Sequence, residues 1–172
     1  GTRLEADDAL RLYQCPDLNA VGRLASIATE RKVGNRASYI VNRYLNYSNY
    51  CILSCQFCSF ARKKRDGDGF EHTVEEMVTK AQEALALGIT ELHIVGGLHP
   101  SLPFSYYTEL LRALKAVDDN LQLKCVTAVG IYHLARLSNK TMPEVLATLQ
   151  EAGLDSLTGG GAEIFQQDVR DT

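Results

Sequence analysis

The stretch that decides the fold is Thr73–Gly97, TVEEMVTKAQEALALGITELHIVGG. Thr73 and Glu76 stand three residues apart as a capping box, the reciprocal pairing that opens a helix. Val74, Met77, Val78, Ala81 and Leu85 then fall on one face at helical spacing. Gly88 supplies the C-terminal stop, because glycine accepts the left-handed turn that ends many helices. Glu91–Val95 follows at once and reads as a strand. A capped helix running straight into a strand is the second half of a βαβ unit.

The pattern repeats on both sides. Upstream, Ser38–Tyr47 (SYIVNRYLNY) is rich in β-branched and aromatic residues and predicts a first strand. Downstream, Tyr107, Leu110, Leu111, Leu114 and Val117 form a second apolar stripe, and Leu121–Val129 (LQLKCVTAV) predicts a third strand. Thr141 and Glu144 make another capping box ahead of Val145, Leu146 and Leu149. Gly153 ends that helix, and Leu154–Leu157 (LDSL) predicts a fourth strand.

The order βαβαβαβ, in units of about 30 residues, implies right-handed crossovers and a parallel sheet. A closed eight-unit barrel typically needs about 250 residues. A chain of 172 residues is too short for that, and an unclosed sheet leaves an unpaired edge. The fold class expected is therefore α/β, the N-terminal half of a (β/α) TIM-type barrel with about four βα units and preceding helices. An open sheet completed by another chain is the alternative. Residues 1–37 form a helical segment in which Asp7–Gly34 makes two helices, with Leu18, Val21, Leu24 and Ala25 as one apolar face. That segment is expected to pack on the outside or bottom of the barrel. Residues 38–172 are expected to form the partial barrel, its C-terminal half missing.

Composition narrows the function classes. Apolar content of 45% and charged content of 23% are those of an ordinary globular protein. A net charge of -3 without a long basic tract argues against nucleic acid or an anionic membrane as partner. No apolar run approaches the roughly 20 residues that span a bilayer. The opening GTRLEADDALRLYQC lacks the apolar centre of a signal peptide. Five cysteines, three of them crowded, indicate a reducing compartment and metal ligation, so the expected location is cytoplasmic.

The crowded cysteines are Cys51, Cys55 and Cys58 in NYCILSCQFCSF, spaced C-x3-C-x2-C. Three thiolates bind three corners of a [4Fe–4S] cube and leave the fourth iron open to a substrate. The alternative, structural zinc, wants four ligands, usually as two spaced pairs. Cys125 or a histidine would then have to complete the site. Cys125 and Cys15 each stand alone in apolar segments and read as buried, inert thiols.

In βα folds the active site is built at the C-terminal ends of the strands, and the unusual residues gather there. The cysteine loop follows strand one, and Gly96-Gly97-Leu98-His99-Pro100 follows strand two. Thr127–Gly130 ends strand three, and Thr158 through Gly159, Gly160 and Gly161 to Glu163 follows strand four. Gly96 and Gly97 let backbone approach a ligand closely, or simply make a tight turn. Gly159 and Gly160 carry the same pair of readings. Glu163 is the carboxylate beside that run, or an exposed helix-start glutamate. The run Arg62-Lys63-Lys64-Arg65 is a solvated loop or, through Arg62, a carboxylate clamp, because bidentate recognition favours arginine. His99 lies at the mouth as a possible substrate contact, whereas His93 sits inside a strand and reads as structural.

These residues carry a resemblance. Cys51-x3-Cys55-x2-Cys58, with Phe57 as the aromatic before the last cysteine, resembles the signature of radical S-adenosylmethionine enzymes. The resemblance implies a [4Fe–4S] cluster on the three cysteines and S-adenosyl-L-methionine chelated to the open iron. It also implies cofactor contacts from Phe57, from Gly96 and Gly97, and from Gly159 and Gly160. Reductive cleavage would yield a 5′-deoxyadenosyl radical, with flavodoxin or ferredoxin as the electron donor. IVGGLHPSLPFSYYTELLRALK, VTAVGI and AGLDSLTGGGAEIF further resemble the aminofutalosine synthases of menaquinone biosynthesis, from about Leu4 to the last residue. The cyclase acting later in that route and the deazaflavin synthase subunit share much of the pattern. The implied reaction adds the adenosyl radical to 3-[(1-carboxyvinyl)oxy]benzoate, with Arg62, His99 and Glu163 as the implied substrate-handling residues. Two positions depart from the pattern: Gly130 stands where glutamate is usual, and Thr158 where proline is usual. An iron–sulfur electron-transfer module is the non-enzymatic alternative.

Overall fold

Two helices, α1 (Ala6–Gln14) and α2 (Leu18–Val33), open the chain in a computed structural model that describes residues 2–160 and 164–170. Glu5 and Asp8 form a capping box at the start of α1, and the Asp17 carboxylate accepts the Ala20 N–H at 2.9 Å to start α2. Gly34 ends α2 with φ of 65°, a conformation that costs glycine little. Neither helix has a buried residue, and the expected apolar face leaves Leu18 and Leu24 exposed. This segment, residues 1–39, is one of two compact units, and residues 40–172 are the other.

The second unit carries β1 (Asn42–Leu45), α3 (Val74–Leu85), β2 (Glu91–Ile94), α4 (Phe104–Val117), β3 (Gln122–Cys125), α5 (Ala128–Ser138) and α6 (Met142–Glu151), with a short α7 (Gln167–Arg170). The strands form a parallel sheet in the order β1-β2-β3, with Leu45, Ile94 and Cys125 matched in register at their C-terminal ends. The expected fourth strand, Leu154–Leu157, is reduced to an isolated parallel bridge beside the three-stranded sheet. Ser156 bridges Lys124, Cys125 N–H donates to the Ser156 carbonyl at 3.0 Å, and Thr158 N–H donates to the Val126 carbonyl at 2.8 Å. The partial barrel read from the sequence is the architecture found.

Both expected capping boxes close. Thr73 with Glu76 opens α3, and Thr141 with Glu144 opens α6, each threonine accepting the N–H three residues on. The helices then cover the sheet with the faces their periodicity predicted. Met77 and Ala81 of α3, Leu110, Leu111 and Leu114 of α4, and Val145 and Leu149 of α6 join Leu92, Ile94 and Leu123 of the sheet in one buried core. Each fully buried leucine contributes about 1.5–3 kcal/mol relative to exposure.

Two further elements differ from expectation. Strand one is shorter, covering Asn42–Leu45, and Ser38–Val41 ahead of it is exposed. The third strand also stops early, at Cys125 rather than Val129. Val126 takes a left-handed φ of 54°, which a β-branched residue adopts only when its surroundings hold it there. Thr127 then caps a helix the periodicity reading missed, its hydroxyl accepting the Gly130 N–H at 3.1 Å. Among the described residues no helix is long and apolar enough to cross a membrane.

Candidate active site

The loop between β1 and α3 carries the three cysteines, and its main chain is folded back on itself. Ser48 bridges Glu71 in antiparallel fashion, while Tyr50 bridges Arg62 in parallel. Side chains reinforce the return: the Ser48 hydroxyl donates to the Phe70 carbonyl at 2.7 Å, and the Asn49 carbonyl oxygen of its amide accepts the Phe70 N–H at 2.8 Å. Cys51 N–H donates to the Arg62 carbonyl at 3.0 Å, and Ile52 N–H to the Leu98 carbonyl at 3.0 Å. The Cys51 sulfur accepts two backbone N–H groups, from Leu53 at 3.4 Å and from Leu98 at 3.3 Å. All three thiols are free; Cys51 and Cys58 are half-buried and Cys55 is exposed. Among the described residues no three histidine, cysteine or acidic side chains converge as they would on a single metal ion.

The basic run divides by direction. Arg62 turns into its own loop, with Nε 2.7 Å from Asp68 Oδ2 and Nη1 donating to the carbonyls of Ser59 at 2.7 Å and Ala61 at 3.0 Å. That guanidinium bond holds the Asp68 carboxyl below its ordinary range. Lys63 also turns inward and donates to the carbonyls of Cys51 at 2.9 Å and Leu53 at 2.6 Å. Lys64 and Arg65 are exposed, and the Lys64 ammonium lies 5.6 Å from the Tyr50 ring centroid. Nothing in the sequence pattern separates Lys63 from its neighbours, since direction within a loop has no periodic signature.

Gly96 and Gly97 follow β2, and the cysteine loop explains why both are glycine. A Cβ on Gly96 would stand 2.5 Å from the Tyr47 ring and 2.8 Å from the Ser48 carbonyl. A Cβ on Gly97 would overlap the Tyr50 carbonyl and come within 2.9 Å of Cys51 Cβ. Backbone of the cysteine loop therefore lies where side chains would otherwise be. The contact is fastened on both sides, since Gly97 N–H donates to the Ser48 carbonyl at 2.9 Å and the Tyr47 hydroxyl donates to the Gly97 carbonyl at 3.0 Å. Burial pushes the Tyr47 phenol well above its ordinary value, so it stays a protonated donor.

His99 sits in the loop after β2, against Tyr50 and Glu71 of the cysteine loop, and is 1% exposed. Its Nδ1 accepts the N–H groups of Ser101 at 3.1 Å and Leu102 at 2.8 Å, which settles the turn into α4. A ring accepting at Nδ1 carries its proton on Nε2. That Nε2 lies 2.6 Å from Glu71 Oε2, out of line for a hydrogen bond. The Tyr50 ring meets His99 edge-on at 5.8 Å, and the His99 carbonyl lies 2.9 Å from His133 Nε2. Burial lowers the His99 pKa below its usual 6.5, and Glu71 opposes that shift only in part. The imidazole is neutral near pH 7. Sequence reasoning passed over Glu71 and His133, whose partners are 28 and 34 positions away.

The remaining expected residues are more dispersed. Phe57 is 92% exposed at the tip of the cysteine loop. Gly159 has open space around it, and Gly160, with φ of 116°, lies beside the Thr127 methyl. Glu163 falls outside the described residues. Thr158 is buried and gives both its N–H and its hydroxyl to the Val126 carbonyl, at 2.8 and 2.7 Å. A proline there would offer neither donor. Of the two lone thiols, Cys125 is buried and its pKa is raised to about 12 by desolvation, whereas Cys15 is half-buried. A groove of about 500 Å³ opens beside Cys51, with Ile52, Leu53, Leu98 and Pro100 on one side and Tyr132 and Arg136 of α5 on the other.

The donor set fits an iron–sulfur cluster. Three soft thiols share one loop, and the sulfur of Cys51 already accepts two N–H groups, as cluster-bound sulfurs do. The Radical SAM superfamily model matches residues 45–171, and the chain belongs to that family. Among individual proteins, it is 45% identical to the aminodeoxyfutalosine synthase of Streptomyces coelicolor, over 99% of this chain and 44% of that protein. It is 34% identical to the cyclic dehypoxanthine futalosine synthase of Halalkalibacterium halodurans, over 99% of this chain and 46% of that protein. The chain thus spans less than half the length of these relatives. The fold is shared with the FeFe-hydrogenase maturase HydG of Carboxydothermus hydrogenoformans, with a TM-score of 0.61 at 21% identity over 92% of this chain and 44% of that one.

Proposed function

We propose that this chain forms the radical-generating part of an aminofutalosine synthase, in which Cys51, Cys55 and Cys58 hold a [4Fe–4S] cluster that binds S-adenosyl-L-methionine. When bound, the cluster supplies the electron that splits S-adenosylmethionine into methionine and a 5′-deoxyadenosyl radical. The reaction proposed is addition of that radical to 3-[(1-carboxyvinyl)oxy]benzoate, on the way to menaquinone. A small-molecule substrate, flavodoxin or ferredoxin as electron donor, and a cytoplasmic location belong to the same proposal.

The residues of this chain position and shield. The Gly96-Gly97 turn holds Cys51 at the strand ends through the Ser48 and Leu98 backbone bonds. Gly159, Gly160 and Phe57 are the further cofactor contacts of this reading. Arg62 and His99 act as supports in this reading, Arg62 through Nε and Nη1 and His99 through Nδ1, which are engaged within the protein. Glu163 stays the carboxylate assigned to the glycine run. The groove beside Cys51, apolar with Tyr132 and Arg136 on one wall, has the character an aromatic carboxylate needs.

The observation that carries the reading is the set of three free thiols on a loop packed against the Gly96-Gly97 turn. The 45% identity to a synthase against 34% to a cyclase favours addition over hydrogen abstraction. Mass spectrometry of an anaerobic turnover mixture tests it. An adenosyl adduct of the substrate is expected, and stoichiometric free 5′-deoxyadenosine would point to the cyclase reaction instead. A reduced-cluster electron paramagnetic resonance spectrum that ignores added S-adenosylmethionine would leave only an electron-transfer module.

A further inference from the structure

We infer that Lys63 is a positioning residue for the cluster loop, shaping the turn at Cys51 and tuning the reduction potential of the cluster held there. The inference rests on the cluster assignment above and adds a residue to it.

The four basic residues 62–65 are equivalent in composition and unlike in placement. Lys63 alone sends its ammonium to the carbonyls of Cys51 and Leu53, at 2.9 and 2.6 Å. Those carbonyls flank the turn whose Leu53 N–H points at the Cys51 sulfur. A lysine offers three donors on one point charge, which suits the clamping of neighbouring carbonyls. The root of the side chain is fixed as well: Lys63 N–H donates to Asp66 Oδ2 at 2.6 Å, and Asp66 N–H returns to the Lys63 carbonyl at 2.8 Å.

Two effects follow at the sulfur. Pinning the Leu53 carbonyl fixes that peptide region, and with it the N–H directed at Cys51. The ammonium of half-buried Lys63 also places a positive charge against the main chain of a cluster ligand, 2.9 Å from the Cys51 carbonyl. Net charge and hydrogen bonds to sulfur both set cluster potentials, and positive charge favours the reduced, more negative state. Removing the ammonium makes the cluster harder to reduce and easier to lose.

The test compares Lys63→Met, Lys63→Arg and Arg65→Met in the anaerobically reconstituted protein. Arg65 is exposed and removes one charge from the same run. The readouts are iron per chain, the midpoint potential followed by electron paramagnetic resonance, and the melting temperature of the metal-free protein. The expected result for Lys63→Met is iron content lowered several-fold or, in the fraction that loads, a more negative midpoint. Lys63→Arg should recover most of either loss, Arg65→Met should match the wild type, and the melting temperature should hardly move. Wild-type iron content and potential in Lys63→Met would overturn the inference. So would equal shifts in Lys63→Met and Arg65→Met, or a metal-free Lys63→Met protein that does not fold. If the wild type itself binds no cluster, the functional reading has failed first, and the two failures are distinguishable.

Discussion

The sheet interior and the cysteine loop are built on opposite principles. Leu92, Ile94 and Leu123 lie in one apolar core with residues of α3, α4, α5 and α6 and make no polar bonds through their side chains. The loop between β1 and α3 is held by Ser48, Asn49, Arg62 and Lys63, each bonding to main chain. Apolar packing is non-directional and sets where elements lie. Charge-assisted bonds to carbonyls are directional and set where a single sulfur points. Position and aim are therefore separable in this protein.

The largest effect should come from the packed region. Leu123→Ala should cost about 2–5 kcal/mol of stability in denaturant melts. Iron bound per folded chain should stay unchanged. A folded Leu123→Ala protein that no longer takes up iron would show that position and aim are not separable.

His99 sits between the two regimes, a buried residue doing polar work. His99→Leu removes the acceptor for the Ser101 and Leu102 N–H groups and should cost about 1–3 kcal/mol. The wild type carries a pH signature as well. The folded state lowers the His99 pKa below 6.5, so the unfolded chain binds the extra proton first as pH falls. The contribution of His99 is intact above about pH 6.5 and is lost as pH falls through the lower, folded value. Melting temperature measured from pH 7.5 to 5 should fall less steeply for His99→Gln than for the wild type.

On the loop side, Arg62→Ala should change global stability by no more than about 1 kcal/mol, because its bond to Asp68 is partly exposed. Iron loading should nevertheless drop. Unchanged loading with weakened substrate binding would restore the carboxylate-clamp reading of Arg62. The smallest effect is a gain: a Cβ on Gly130 meets its nearest neighbour, Val126, at 3.4 Å, an ordinary contact. Gly130→Ala should stabilise α5 by roughly 0.5–1 kcal/mol, visible as a raised melting temperature.

What was legible in the sequence follows the same division. The capping boxes at Thr73 and Thr141, and the stripes through Met77 and Leu110, predicted their helices because caps and burial leave local, periodic marks. The turn at Val126 left none: a β-branched residue in a left-handed conformation is dictated by packing around it, so the third strand was read too long and α5 was missed. In the site, the spacing of Cys51, Cys55 and Cys58 is a local mark and was read directly. The pairing of His99 with Glu71 joins residues 28 apart, and the inward turn of Lys63 depends on a loop conformation. Tertiary contacts of that kind have no one-dimensional signal.

The close approach at Gly96 and Gly97 has a consequence for anyone who would move this site to another scaffold. Because main chain around Tyr50 and Cys51 occupies the volume of absent side chains, the two segments are mould and cast. A cysteine loop transplanted alone would meet a Cβ at nearly every foreign strand end and lose its shape. The smallest portable piece is discontinuous: the loop together with the glycine pair and the Leu98 amide that grips its first sulfur.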